Sequence, residues 1–203
     1  MIKHEIVAVS VAANTAGLAN DVAPASGVAL TLAANNAADS LAHLIVITNN
    51  SATDYSTGGK TLAVVGTGPN GEAQTETITG PGASTTTTTT KHFLSAASVT
   101  PNYTRGAADT VDVGWTAESV SATKNPKLST VPQFNIGFGC SVESGTPTYT
   151  VQQTYDGVTW YNHATVSAET TSQEGVYTNP VAGIRLKFTA AGGVTLTSYQ
   201  VEG

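Results

Sequence analysis

The chain has 203 residues, only 11% of them charged, with a net charge of −6 and 8 scattered Lys and Arg. An average globular protein carries about 25% charged residues. Non-specific nucleic-acid binding needs clustered cations, so direct contact with nucleic acid is not expected. The single cysteine, Cys140, rules out an intrachain disulfide and suits a reducing compartment. No stretch approaches the roughly 18 apolar residues of a membrane helix, and no apolar run follows Lys3 as a signal peptide would require. A chain this long can bury about 70% of its unfolded surface without metals or disulfides.

Strand formers (Thr, Val) and turn formers (Gly, Asn) dominate, while long helix formers are scarce, so the expected fold is all-β with many loops. Val7, Val9 and Val11 share one face of a first strand. Residues 14–27 read as a loop, and Val28, Leu30 and Leu32 fall in an alternating strand. Residues 33–43 predict a loop or a single helical turn. Leu44-Ile45-Val46-Ile47-Thr48 is a continuous apolar run, expected as a central strand buried on both faces.

Thr61 to Gly66 and Gln74 to Thr79 form a hairpin around Pro69-Asn70-Gly71. The six consecutive threonines 85–90 predict a solvated strand of weakly set register. Phe93, Ala97 and Val99 lead into the next strand, and Val111 to Trp115 closes the N-terminal half. Residues 121–132, with Lys124, Pro126, Lys127 and Pro132, predict a linker.

Beyond it, Phe134, Ile136, Phe138 and Cys140 share a face, as do Tyr149, Val151, Gln153 and Tyr155. Ile184, Leu186 and Phe188 point in while Arg185 and Lys187 point out, and Val194 and Leu196 alternate with threonines. Asp156-Gly157 and Gly192-Gly193 are expected hairpin turns. The prediction is two antiparallel β-sandwich or barrel-like domains, residues 1–120 and 133–203. A short anchoring arm begins the first. The second, at about 75 residues, is small enough to lean on a neighbour or another subunit.

Chemistry-bearing residues form no familiar constellation. His4, His43, His92 and His163 lack zinc spacing and are expected at the surface or at strand ends. Cys140, on an apolar face, is expected to be a buried inert thiol. Gly66-Thr67-Gly68 opens no helix and reads as a hairpin turn. Glu72, Glu76 and Asp109 are expected to be exposed rather than paired for glycoside hydrolysis. Asp54, Asp109 and Asp156 lack a calcium-loop pattern. No catalytic residue, cofactor or metal is predicted. Trp160 and Tyr161, after a tight turn, are the candidates for surface contact or glycan stacking. The structural alternative has Trp160 capping the core and Tyr161 packing at an edge or interface.

Two stretches resemble tailed-bacteriophage virion structural proteins. One is Gly66-Thr67-Gly68-Pro69-Asn70-Gly71-Glu72-Ala73-Gln74-Thr75-Glu76-Thr77-Ile78-Thr79-Gly80-Pro81, with the threonine run, Phe93, Ser98-Val99-Thr100 and Val111-Asp112-Val113-Gly114. The other is Tyr149-Thr150-Val151-Gln152-Gln153-Thr154-Tyr155-Asp156-Gly157-Val158-Thr159-Trp160. It continues with Pro180-Val181-Ala182-Gly183-Ile184-Arg185-Leu186 and Tyr199-Gln200-Val201. The resemblance implies a non-enzymatic particle component assembled in the host cytoplasm. A capsid decoration (cement) protein on the major capsid protein lattice is the leading expectation. A head or tail fibre, a receptor- or glycan-binding module, or a connector accessory protein is the alternative. A homo-oligomer, dimeric or trimeric, is expected from the small second domain and the few charges available to keep strand edges apart.

Overall fold

The computed structural model describes residues 2–104, 106, 108–126 and 135–200. Among them there are twelve strands and no helix, as the composition predicts. The chain divides into two compact units: a central unit, Ala12–Ala117, and a terminal unit, Met1–Val11 with Glu118–Gly203.

The first strand, β1 (Ile2–Ser10), belongs to the terminal unit. Its face of Val7 and Val9 points to solvent, 70% and 52% exposed, while Ile6, Ala8 and Ser10 are buried. Alternation identifies the two faces but not which one is covered.

In the central unit, β2 (Asn14–Val22), β3 (Ala42–Asn49), β6 (Thr86–Phe93) and the first seven residues of β8 (Val111–Val120) form one sheet. Strands β4 (Thr61–Thr67), β5 (Ala73–Thr79) and β7 (Ser95–Pro101) form a second, in the order β5-β4-β7. Both supply the core, which includes Leu18, Ile45, Ile47, Leu62, Val64, Phe93, Val99, Val111 and Val113. Each such side chain contributes about 1.5–3 kcal/mol when fully buried.

The β4–β5 hairpin pairs Thr61 with Thr79 through Thr67 with Ala73, as Pro69-Asn70-Gly71 predicts. β3 is buried along most of both faces. The threonine strand β6 is fixed more firmly than its repetitive sequence suggests. The buried Thr89 hydroxyl accepts the Ile45 N–H and donates to the Lys91 carbonyl, each at 2.9 Å. The Glu76 carboxylate accepts the N–H groups of Thr90 and Lys91 at 2.8 Å. These side-chain bonds supply the register that identical threonines cannot.

Three expectations for this half are corrected. Residues 14–22 form β2, not loop; their polar sequence pairs with β8 at only three register positions, separated by irregularities. Residues 28–32 are not a strand: Leu30 is buried and donates its N–H to Val99 O at 2.8 Å, but Val28 stays exposed. In β7 the buried positions are Ala96, Val99 and Pro101, because a register shift between Val65 and Gly66 breaks the alternation that would have included Ala97.

The terminal unit is built on one long antiparallel pair, β9 (Ile136–Thr154) with β12 (Gly183–Gln200). β10 (Trp160–Asn162) and β11 (Gln173–Tyr177) pair with β9. β1 pairs along β12 from Ile2↔Gln200 to Ser10↔Gly192, so the segment expected as an anchoring arm is bound within this sheet. Grouping by sequence placed it with residues 12–120; the partner strand lies about 190 residues away, beyond what local pattern can indicate. Asp156-Gly157 is a turn, with the Asp156 carboxylate accepting the N–H groups of Val158 and Thr159.

Gly192-Gly193, by contrast, is not a hairpin turn but lies inside β12, opposite Ser144 and Gly145. Register shifts flank it, and Gly192 has φ 151°, with a hypothetical Cβ 2.7 Å from Pro147. Glycine there permits a bend in a continuous strand. The first part of the expected linker also pairs. Ser121 and Leu186 share two hydrogen bonds, and Lys124 and Ile184 exchange backbone bonds at 2.9 Å. Residues 127–132 of that linker, and Phe134, lie outside the described residues.

Candidate functional site

Most chemistry-bearing side chains are engaged by the fold itself. His43 is buried, with Nδ1 2.9 Å from Thr116 O and Nε2 2.8 Å from Asp39 Oδ2. His163 is also buried, edge-on to Phe138 and Tyr177 at 5.0 and 5.1 Å. Both lie at strand ends, as expected, His43 as the second residue of β3 and His163 directly after β10, but both are buried rather than at the surface. Their sequence neighbours did not reveal the partners, which come from loops and other strands. Cys140 is buried, and burial pushes its thiol up to about 12, far from a reactive thiolate.

The carboxylates likewise serve local structure. Glu72 precedes β5 and accepts the Asn70 N–H. Glu76 holds β6, as described above. Asp109 accepts the Tyr55 hydroxyl, and hydrogen bonds from Thr53 and Tyr55 hold its carboxyl below the usual range. Asp54 binds the Ser56 N–H and hydroxyl. Asp156 is held well below the usual carboxylate range, chiefly by the backbone N–H groups of Thr159 and Val158. Among the described residues no three His, Cys, Asp or Glu side chains gather into a metal-binding group. No helix among them is long and apolar enough to cross a membrane.

The two aromatic candidates follow each other in β10, an edge strand, and so face opposite sides of the sheet. Tyr161 is half exposed and lies 5.9 Å from Tyr155. Trp160 pairs with Thr154, and Arg185 with Gln152, which places Trp160 and Arg185 on one face. The Arg185 guanidinium carbon sits 3.9 Å from the Trp160 ring centroid. Arg185 Nε donates to Gln152 Oε1 at 2.9 Å, and Gln152 Nε2 donates to Asn162 Oδ1 at 2.9 Å. Beside them Lys187 and Glu118 pair at 3.0 Å. Arg185 was expected simply to point outward. Its place over Trp160 depends on the β9–β10 and β9–β12 registers together, which the sequence does not state.

A second feature is the outward face of β1, β12, β9 and β11. Register puts Lys3, Glu5, Val7 and Val9 beside Thr195, Thr197 and Tyr199, then Gly137 and Gly139, then Val176 and Glu174. Val7, Val9, Val176 and Tyr199 are all about half exposed or more. Between Tyr199 and Val176 the bare backbone at Gly137 and Gly139 floors a groove of roughly 1160 Å³ that ends at His163–Thr165.

No protein-family model matches the chain, and no curated protein matches it. Among solved structures, the allantoicase of Saccharomyces cerevisiae is similar at a TM-score of 0.24 and 11% identity, covering 79% of this chain and 74% of that one. A likeness at that level carries no argument about fold or chemistry.

Proposed function

We propose that this chain is a non-enzymatic structural protein of a tailed-phage particle, a capsid decoration protein that binds the major capsid protein lattice. The observation that carries the reading is the outward β1–β12–β9–β11 face, which displays Val7, Val9, Val176 and Tyr199. Two exposed apolar pairs on one sheet face, Val7 with Val9 and Tyr199 with Val176 across Gly137, mark a contact surface, while most carboxylates and histidines that catalysis would use are held in turns, strand registers and the core. In this reading the protein assembles in the host cytoplasm, ends on the virion as a dimer or trimer, and touches neither nucleic acid nor membrane. Its two units are two antiparallel β-domains of sandwich or barrel type.

Purified particles should contain the chain by mass spectrometry, and particles lacking it should lose thermal or osmotic resilience. Its absence from virions overturns the reading. Replacing Val7 and Val9 together with Asp should abolish attachment to undecorated heads while leaving the circular dichroism unchanged. Light scattering should show an oligomer in solution or on heads.

A second reading, a fibre, receptor- or glycan-binding module or connector accessory, is favoured at one place: the Arg185–Trp160 stack with its amide neighbours.

A further inference from the structure

We propose that Arg185, held over the Trp160 ring, is the recognition group of a binding site for a carboxylated saccharide. The inference deepens the second reading above and rests on it for the location of the site.

Two contacts fix the guanidinium, and a third holds one of its partners. The guanidinium carbon lies over the indole at 3.9 Å from its centroid, Gln152 accepts from Nε, and Gln152 is itself buried and tied to Asn162. The terminal nitrogens of Arg185 find no hydrogen-bond partner among the described residues. The adjacent acid, Glu118, is paired with Lys187. Arg185 therefore presents a rigid fork of N–H donors with no carboxylate bound to it. Burial lowers its pKa to about 10, so water only partly solvates the cation.

The carboxylate nearest in effect, Glu118, is shared with Lys187, so this half-buried cation is only partly compensated, which is costly. An anion with two coplanar oxygens restores the balance bidentately. The neighbours indicate what carries that anion. Trp160 offers an apolar edge, and Asn162 is an exposed amide suited to hydroxyl groups. A uronic acid presents a carboxylate, hydroxyls and an apolar ring surface together. A neutral sugar leaves the fork unpaired. An acidic peptide leaves the amide and indole without matching groups. The proposal also replaces an adjacent-aromatic platform, since Trp160 and Tyr161 face opposite sides.

The test uses the full chain titrated with tetragalacturonate, with its methyl ester, and with tetraglutamate, by calorimetry and tryptophan fluorescence. The free acid should bind, with affinity falling as salt rises. The ester and the peptide should each bind at least about tenfold more weakly. Arg185→Gln should lose about tenfold to a hundredfold in affinity for the acid, and Arg185→Lys should recover only part of it, because a point charge lacks the fork. Circular dichroism on both variants confirms folding, and the acid–ester comparison needs no variant. Equal binding of acid and ester means that the site takes sugars without reading charge; the inference then fails and the second reading survives. Equal binding of tetraglutamate overturns the saccharide assignment. If neither saccharide binds, the inference fails, while the receptor-binding and connector forms of the second reading stand.

Discussion

In the central unit, a Cβ added to Gly114 would lie 1.9 Å from Asn14 O, and one on Gly66 would lie 1.9 Å from Ser95 O. In the terminal unit, a Cβ on Gly137 or Gly139 would meet nothing within 4 Å among the described residues. The central glycines let backbones approach inside the fold. The terminal pair lies on an outward face and answers to no neighbour there. Polar groups follow a similar division. The central unit buries Asp39 against His43 and Thr89 against the β3 backbone. The terminal unit leaves Arg185 on a partly exposed face with no carboxylate hydrogen-bonded to it, the nearby Glu118 being paired with Lys187. The contrast belongs to these positions and not to every residue of each unit: Gly192 of the terminal unit is crowded by Pro147, Gln152 there is buried, and Gly71 of the central unit meets nothing within 4 Å.

The sharpest test of that contrast is Asp39→Ala. Removing the carboxylate leaves His43 Nε2 buried without that partner, and an unsatisfied buried polar group costs about 1–3 kcal/mol. Urea denaturation should show a loss of that size. A loss below about 1 kcal/mol would mean that the central unit tolerates its polar interior as a surface would, and the contrast would collapse.

Gly114→Ala comes next. The added methyl group meets backbone, which cannot rotate away, so overpacking should cost about 1–3 kcal/mol. Thermal denaturation of the variant checks this, with Gly66→Ala as an independent repeat at a different strand contact.

Acid should probe the terminal unit's turn. Asp156 titrates at 3.8 when unperturbed, and its folded pKa is depressed by the Thr159 and Val158 N–H groups. Between those values the unfolded chain binds more protons, so stability falls as pH falls. The carboxylate's contribution is fully present above 3.8 and is lost as pH drops through the lower folded value. Midpoint temperatures for the wild type and Asp156→Asn should therefore converge as the solution is acidified below pH 4. A constant difference between them would remove the carboxylate from the account of the turn.

Local chemistry was legible in the sequence, and long-range register was not. Pro69-Asn70-Gly71 and Asp156-Gly157 announced their turns because turn residues act within a few positions. Leu44 to Thr48 announced a buried strand by its uninterrupted apolar run. Gly192-Gly193 misled because the same residues that close a turn also bend a continuous strand. β2 was hidden by its polar composition and by irregular pairing to β8. The candidate site was half legible: the alternation around Ile184 turned Arg185 outward, and the aromatic pair drew notice. The stack itself arises where three strands meet in register, and no single window of sequence contains it.

The smallest expected effect is the most discriminating for the terminal unit. Gly137→Ala and Gly139→Ala, singly and together, put a methyl group into open space on an outward strand face. Neither glycine has a positive φ, so alanine adopts the same backbone without strain. Glycine inside a strand is disfavoured by about 0.5–1 kcal/mol per site, chiefly through the freedom it has when unfolded. Each substitution should therefore be neutral or stabilise by up to about that amount, and the two should add, because their side chains share no partner. Urea midpoints measured at constant m-value would show it. If either variant destabilises, something inside the protein covers that face, and the groove between Tyr199 and Val176 is packing rather than surface. If both stabilise, these glycines persist against the stability of the isolated chain. Their explanation then lies in what approaches the groove from outside.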